Sequence, residues 1–465
     1  FDLKVLSNSI EFDYIVDPQA FNASNTIYQC GDVNVSDTTY TLNQSFSTTS
    51  TCLTIGADNI TIDMNGFTIT GDGNNDEDYG INNSGYDNLT VKDGYIYDFG
   101  RGIDSVGDYA NFTNLTISSS GTFGGSDWIY GIRSRGNYTS ITNSNVSNVQ
   151  RTGGSSYSFG IWTELNSSVI QENIVNLNDY GIFINNSWNS EIINNTINYN
   201  TYDGIFVDTS HYNNVINNTI YHNKRNAINL YPYSLASSNV SYNTFKGNDI
   251  YNCTSSGSGA CIDLFQAVYN IFENNKINKS YANGILLESS SGKKGSLHNE
   301  FKNTNMTNID GTSIVLDRNS GAAHLNNSFL NFTYNNESVD SGSQLVRRWY
   351  YRVYVNDSDG NPVSGANVTA YDVWDTYSFN LTTNASGWTE MAGISDYYIS
   401  NDIKIYYSPY TIYAKNSTYS DGVRAYNVTV NGNNLNDVIT MGSGEIMDCG
   451  ALSSGTTYTL QNNLS

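Results

Sequence analysis

One phrase returns through the middle of the chain. Gly160-Ile161-Trp162-Thr163-Glu164 is answered by Gly181-Ile182-Phe183-Ile184-Asn185, Gly204-Ile205-Phe206-Val207-Asp208 and Ala227-Ile228-Asn229-Leu230. Between these lies a second phrase: Val169-Ile170-Gln171-Glu172-Asn173, Ile192-Ile193-Asn194-Asn195-Thr196-Ile197 and Val215-Ile216-Asn217-Asn218-Thr219-Ile220. Two short apolar strands in each repeat of roughly 23 residues predict a solenoid of strands. Openings at Gly80-Ile81, Gly102-Ile103, Gly131-Ile132, Cys261-Ile262, Gly284-Ile285 and Ser313-Ile314 extend it in both directions. Strand alternation then assigns faces: Ile182 and Ile184 point in, Phe183 and Asn185 point out.

The same alternation turns one asparagine per coil inward. Asn195, Asn218 and Asn327 are each the second residue of an Asn-Asn pair, and Asn173, Asn243, Asn275 and Asn299 join them. A buried amide is costly unless bonded, so these predict an internal asparagine ladder at strand spacing.

The phrases G-I-x-[IVL] and N-N-T-I resemble the right-handed parallel β-helix repeats of pectate-lyase-like proteins. More closely they resemble repeat-rich surface proteins of archaea, related in pattern to periplasmic copper-processing β-helix proteins. Cys52-Leu53-Thr54-Ile55 with Asp63-Met64-Asn65-Gly66 is similar to their first coil. The resemblance covers about residues 30–345 and speaks to fold more than to function. Further on, Asp357-Ser358-Asp359-Gly360-Asn361-Pro362-Val363 looks like the first hairpin of invasin-like and carboxypeptidase-regulatory-like sandwiches. The fold class expected is all-β. An N-terminal arm (1–29) precedes a β-helix of about ten coils with a cap coil (30–345). A seven-stranded Ig-like or transthyretin-like β-sandwich (346–441) and a tail (442–465) follow. That tail repeats the cap: Asp448-Cys449-Gly450 and Thr456-Thr457-Tyr458-Thr459-Leu460 echo Gln29-Cys30-Gly31 and Thr38-Thr39-Tyr40-Thr41-Leu42. The expectation is head-to-tail association of like chains, or continuation into a second β-helix, with Tyr458 and Leu460 at the junction.

A net charge of -23, from 44 acidic against 21 basic residues, argues against nucleic acid and anionic membranes as partners. No apolar run is long enough to span a bilayer. Roughly thirty Asn-x-Ser/Thr triplets suggest an extracellular or cell-surface glycoprotein. The candidate glycan attachment sites are Asn22, Asn34, Asn59, Asn88, Asn111, Asn137, Asn145, Asn166, Asn194, Asn217, Asn239, Asn326, Asn367, Asn380, Asn416 and Asn427. Cys30/Cys52 and Cys253/Cys261 are spaced as two local disulfides, fitting an oxidising compartment. Cys449 is left over, with a partner expected outside this stretch of chain.

Chemistry is thinly signalled. Glu164 and Asp208 fall on the outward stripe two coils apart, about 10 Å by strand spacing, with Arg133 nearby to meet a uronate. The motifs of polygalacturonases and alginate epimerases are missing, so these are weak catalytic candidates and the chain reads as a non-enzyme. Trp162, Phe183 and Phe206 predict an exposed aromatic run for an interface or for sugar stacking, unless a neighbouring segment covers it. No cofactor is expected beyond calcium at Asp72, Asp76 and Asp78, whose spacing loosely matches a calcium loop. The reading from sequence is a structural surface glycoprotein that builds a filament or layer. A polysaccharide-binding adhesin is the alternative, and a polysaccharide lyase or hydrolase the second.

Overall fold

The computed structural model describes residues 25–74, 78–119, 128–150, 157–164, 166–232, 238–253, 259–426 and 432–442. It also gives the backbone of four short strands at Leu3–Leu6, Ser9–Phe12, Glu445–Ile446 and Thr459–Leu460. The fold is all-β, as expected: parallel β-helix sheets and a smaller antiparallel part toward the C-terminus, with no helix among the described residues. The chain forms two compact units, residues 1–263 with 278–282, and residues 264–277 with 283–465.

In the first unit the repeated phrases lie directly on one another. Ile161 pairs with Ile182, Ile182 with Ile205 and Ile205 with Ile228, so Trp162, Phe183 and Phe206 form one outward row. The coils at Tyr79–Tyr97 and Arg101–Ser118 have the two strands expected, whereas those between Ile129 and Tyr221 have three. The second phrase breaks in the middle, giving Glu191–Ile193 and Thr196–Asn198 in one coil, Asn214–Ile216 and Thr219–Tyr221 in the next. The reason is a corner residue in the left-handed region, Asn194 (φ 56°) and Asn217 (φ 54°). Asparagine tolerates that conformation better than most residues, and one such residue redirects a strand. The opening glycines answer a different need. A Cβ on Gly181 would stand 2.5 Å from the Gly204 carbonyl oxygen, so only hydrogen fits between rungs.

Three internal polar stacks replace the single ladder expected. At one corner Asn173, Asn195, Asn218 and Asn248 are linked, each Nδ2 donating to the next Oδ1 at 3.0, 3.0 and 3.1 Å. At a second corner Asn213 donates to Asn243, and at a third Asn200 donates to Asn223. Asn243 therefore belongs to a different stack from Asn195 and Asn218. A residue with positive φ precedes the ladder asparagine at each corner: Asn194, Tyr212 and Tyr199. The Asn-Asn pair thus encodes a corner followed by a rung. Each rung is satisfied, since Asn218 Oδ1 accepts from both the backbone and the side-chain amide of Asn195, while Asn218 Nδ2 also reaches the Ile192 carbonyl. The N-terminal end is closed by the Cys30–Cys52 disulfide, and Cys253–Cys261 bridges a later coil.

The second unit contains coils of the same kind and a two-layer antiparallel part. Asn270, Asn299 and Asn327 continue the ladder motif at 3.0 and 2.9 Å. The first residues of the strand Leu345–Asn356 pair in parallel with Asn327–Leu330 along one edge and antiparallel with Ala392–Ser400 along the other, and its later residues pair in parallel with Asn434–Thr440. Its strict alternation buries Trp349, Tyr351, Val353 and Val355 against Val368, Ala370, Ile412 and Ala414 of the facing sheet. Eight strands build this part among the described residues, against the seven expected.

Candidate functional site

The outer face of the first sheet carries a cavity of about 520 Å³. Its floor comes from strands Ser158–Thr163, Tyr180–Asn185 and Ile205–Asp208, which contribute Phe159, Tyr180, Phe183 and Phe206. Trp128 and Tyr157 form further walls, and Asn185, Asn186, Asp208 and Thr209 supply a polar side. A volume in this range, mostly apolar with a few polar groups, is characteristic of ligand sites.

The floor rings stack rung over rung. Phe159 lies 4.9 Å from Phe183 at an interplanar angle of 19°, and Phe183 lies 5.1 Å from Phe206 at 14°. Tyr180 joins at 5.3 Å from Phe159 and 5.5 Å from Phe206. Tyr157 stands perpendicular to this stack, at 88° to both Tyr180 and Tyr202. Trp128 is tilted by 52° over Trp162 and remains 47% exposed.

Two ion pairs, each between a partly exposed arginine and a buried acid, lie against rings of the cluster. Arg133 donates from Nε to Asp104 Oδ1 (3.0 Å) and from Nη2 to Oδ2 (2.5 Å), with Tyr130 and Trp162 packed against its guanidinium. Arg225 donates to both oxygens of Asp203, which is fully buried, and lies against Tyr180 and Tyr202. Burial works against the Arg225 charge, but its bonds to Asp203 more than offset this and raise its pKa. Burial likewise pushes the Tyr180 hydroxyl up, keeping it protonated.

These positions revise the expectations from sequence. Trp162, Phe183 and Phe206 are 2, 6 and 4% exposed, so they form a covered cluster instead of an open run. What covers them is Tyr130, Phe159 and Tyr180, each one place before the glycine of its phrase. Strict alternation would turn those rings inward. The glycine breaks the alternation, since Phe159–Tyr180 and Ile161–Ile182 pair across it, and Tyr180 lands beside Phe206 in the same cluster. The aromatic-Gly-Ile triplets were the signal that could have revealed this. Of the three catalytic candidates, Glu164, Asp208 and Arg133, Asp208 alone lines the cavity among the described residues. Glu164 Oε1 accepts from Asn185 Nδ2 at 3.2 Å, and Asp208 Oδ1 accepts from Thr209 Oγ1 at 2.8 Å. Arg133, expected to meet a uronate, is committed to Asp104.

Elsewhere, Asn34, Asn59, Asn88, Asn166, Asn194, Asn217, Asn326, Asn367 and Asn380 are exposed. Asn111, Asn137, Asn145, Asn239 and Asn416 are half-buried, and Asn22 and Asn427 lie outside the described residues. Asp76, Cys449 and Tyr458 also lie outside them. Asp72 accepts from the backbone and side-chain nitrogens of Asn74 at 2.9 and 2.7 Å, and among the described residues no cluster of three acidic, His or Cys side chains could hold a metal. Leu460 belongs to the strand Thr459–Leu460, which pairs in parallel with Glu445–Ile446. No described helix is long and apolar enough to cross a membrane.

Residues 130–292, which include the cavity, match the family described as the right-handed β-helix region. Among solved structures the chain is similar to the A-module of the Azotobacter vinelandii mannuronan C-5 epimerase AlgE6 (14% identity, 63% of this chain, 80% of that one, TM-score 0.43). It is also similar to a mutant tailspike protein of the E. coli bacteriophage HK620 in complex with a hexasaccharide (11%, 83% and 85%, TM-score 0.44). A third is a double mutant of the periplasmic alginate epimerase AlgG (14%, 64% and 84%, TM-score 0.41). No curated protein matches the chain. The family match identifies the kind of fold, which polysaccharide enzymes and non-enzymes share, and the solved structures add no chemistry to it.

Proposed function

We propose that this chain is an extracellular polysaccharide-binding protein, a β-helix shaft whose outer aromatic cavity holds a glycan segment. The observation that carries this reading is the 520 Å³ cavity itself, lined by aromatic rings together with Asn185, Asn186, Asp208 and Thr209. Ring faces pack against sugar C–H bonds, while amides, a hydroxyl and a carboxylate satisfy sugar hydroxyls. The two disulfides and the exposed Asn-x-Ser/Thr sites suit an oxidising compartment outside the cytoplasm. Titrating oligosaccharides into the full chain and into Trp128→Ala tests it. Wild type should bind, and the variant should lose about tenfold or more in affinity, about 1.4 kcal/mol. Equal binding by the two proteins would sink the cavity as the site. Cleaved oligosaccharide after long incubation would instead make the protein an enzyme.

A second reading, head-to-tail assembly into a surface filament or layer, has its own support. Glu445 pairs with Thr459 and Ile446 with Leu460, in the register by which Thr26 pairs with Thr41 and Ile27 with Leu42. The two rungs share the phrase T-T-Y-T-L, so the tail repeats the first rung of the cap in pairing as well as in sequence. An unpaired rung is a template for another strand edge. Removing residues 445–465 should abolish polymers seen by electron microscopy; polymers of unchanged length would end this reading.

A further inference from the structure

We propose that Tyr109 and Tyr138 form an oxidative modification site, where a dityrosine bond staples one coil of the β-helix to the next. The proposal is independent of the cavity and of glycan binding. It starts from one corner of the coils. In eight successive coils the residue two places before the aligned positions Thr61, Thr90, Asn111, Ser140 and their successors has a left-handed backbone, from Asn59 (φ 59°) to Tyr242 (φ 57°). Asn59, Asn88 and Asn189 suit that conformation, whereas a bulky ring there is an outlier. Tyrosine nonetheless holds it four times, at Tyr109, Tyr138, Tyr212 and Tyr242. Strain that the backbone does not require points to a role for the side chain.

The side chains come in pairs. Asn111 pairs with Ser140, so Tyr109 and Tyr138 occupy adjacent rungs. Their rings lie 4.9 Å apart at an interplanar angle of 8°, and the residues are 53 and 52% exposed. Tyr212 and Tyr242 repeat the arrangement at 5.0 Å and 6°, with 52 and 46% exposed. Stacking alone would not suffice. Tyr180 also stacks on a tyrosine, Tyr202, at 5.2 Å, but it is 3% exposed and closed to an oxidant. At the corner both requirements of phenol coupling are met: two rings in contact, and access from solvent. Each phenol gives up one electron and one proton to become a phenoxyl radical. The radicals join through ring carbons beside the hydroxyls, and the ring hydrogens displaced there return to the oxygens. The two electrons and two protons reduce one hydrogen peroxide to two waters. The disulfides Cys30–Cys52 and Cys253–Cys261 suit surroundings in which such an oxidant persists.

The test treats the dilute full chain with hydrogen peroxide and a haem peroxidase, then digests it for mass spectrometry. The expected product is a peptide pair joined at Tyr109 and Tyr138, two hydrogens lighter than the sum of its parts. In a mixture of chains with natural and heavy nitrogen, both halves of the pair should carry the same isotope. Tyr138→Phe keeps a stacked ring but lacks the phenol, so it should abolish this pair and leave a Tyr212–Tyr242 pair in place. The linked chain should also unfold at higher denaturant concentration, because the bond closes a loop of about 30 residues. Absence of the Tyr109–Tyr138 pair, or isotopes mixed within it, would overturn the site. Coupling that instead runs between chains through other exposed tyrosines such as Tyr28, 42% exposed, would overturn it too. A linked chain with an unmoved unfolding midpoint would overturn the stapling role.

Discussion

Two stacks of side chains run along this β-helix at the same rung spacing, and they do opposite work. Inside, Asn195 and Asn218 pass one hydrogen bond to the next, with every amide satisfied and both side chains fully enclosed. Outside, Phe159, Phe183 and Phe206 stack equally closely, are nearly covered, and still contribute to the lining of a cavity. Polar groups buried in a ladder have no capacity left for a ligand, because each donor and acceptor is already used. Stacked apolar rings carry no such obligation, and here a few polar groups line the same cavity. The repeat supplies both stacks. Only the outer one offers a surface.

Substitutions that separate the two stacks sharpen this contrast. The largest effect is expected at the ion pair beside the ring stack. Arg225→Met would leave the fully buried Asp203 without its cation and should destabilise the first unit by about 3–5 kcal/mol in denaturant unfolding. A loss below about 1 kcal/mol would show that Asp203 finds another partner. Next, Asn218→Ala removes the acceptor for the backbone and side-chain amides of Asn195 and should cost about 2–4 kcal/mol, with glycan affinity unchanged in the folded protein. A ladder variant that lost affinity while still folded would break the division between inside and outside.

A smaller, pH-dependent effect belongs to the second unit. His324 is fully buried in a polar stack, where Nδ1 accepts from the Ser296 backbone and Nε2 meets the Asp317 carbonyl. Burial holds its pKa below the ordinary 6.5. The unfolded chain therefore binds the proton first. The stabilisation is complete above about pH 6.5 and falls as pH drops below it, by at most about 1.4 kcal/mol per pH unit. His324→Asn should flatten the unfolding profile between pH 5 and 7, roughly the histidine window; an unchanged slope would assign the dependence to other groups. The smallest effect is Trp128→Ala on stability, within about 0.5 kcal/mol because the ring is half exposed. Its consequence should appear in binding alone.

Much of the architecture was legible in the residues. Gly181-Ile182 and Gly204-Ile205 announced the coils because a parallel β-helix repeats the same side chain at each rung, and the spacing of Cys30 and Cys52 announced their bridge. The ladder was legible in kind and misread in number, since Asn195 and Asn243 look alike in sequence but sit at different corners. The corner itself is a matter of one left-handed residue, which asparagine permits without advertising. The cavity was legible only in fragments. Phe183 and Phe206 stood out as an outward row, yet Tyr180 was hidden by the glycine that shifts the alternation, and Trp128 lies more than fifty residues before Phe183.

By itself, then, the sequence determined a parallel β-helix with an inner polar ladder, a disulfide-closed start and an antiparallel module near its end. Those features depend on local period, corner chemistry and rung-to-rung identity, all written along the chain. Tertiary structure alone decided that the aromatic row is roofed, that Arg133 and Arg225 are spent on Asp104 and Asp203, and that Asp208 faces the cavity while Glu164 does not. Each of those outcomes depends on which side chains from different coils meet, and coil-to-coil contact is fixed by stacking register, which a linear reading cannot supply.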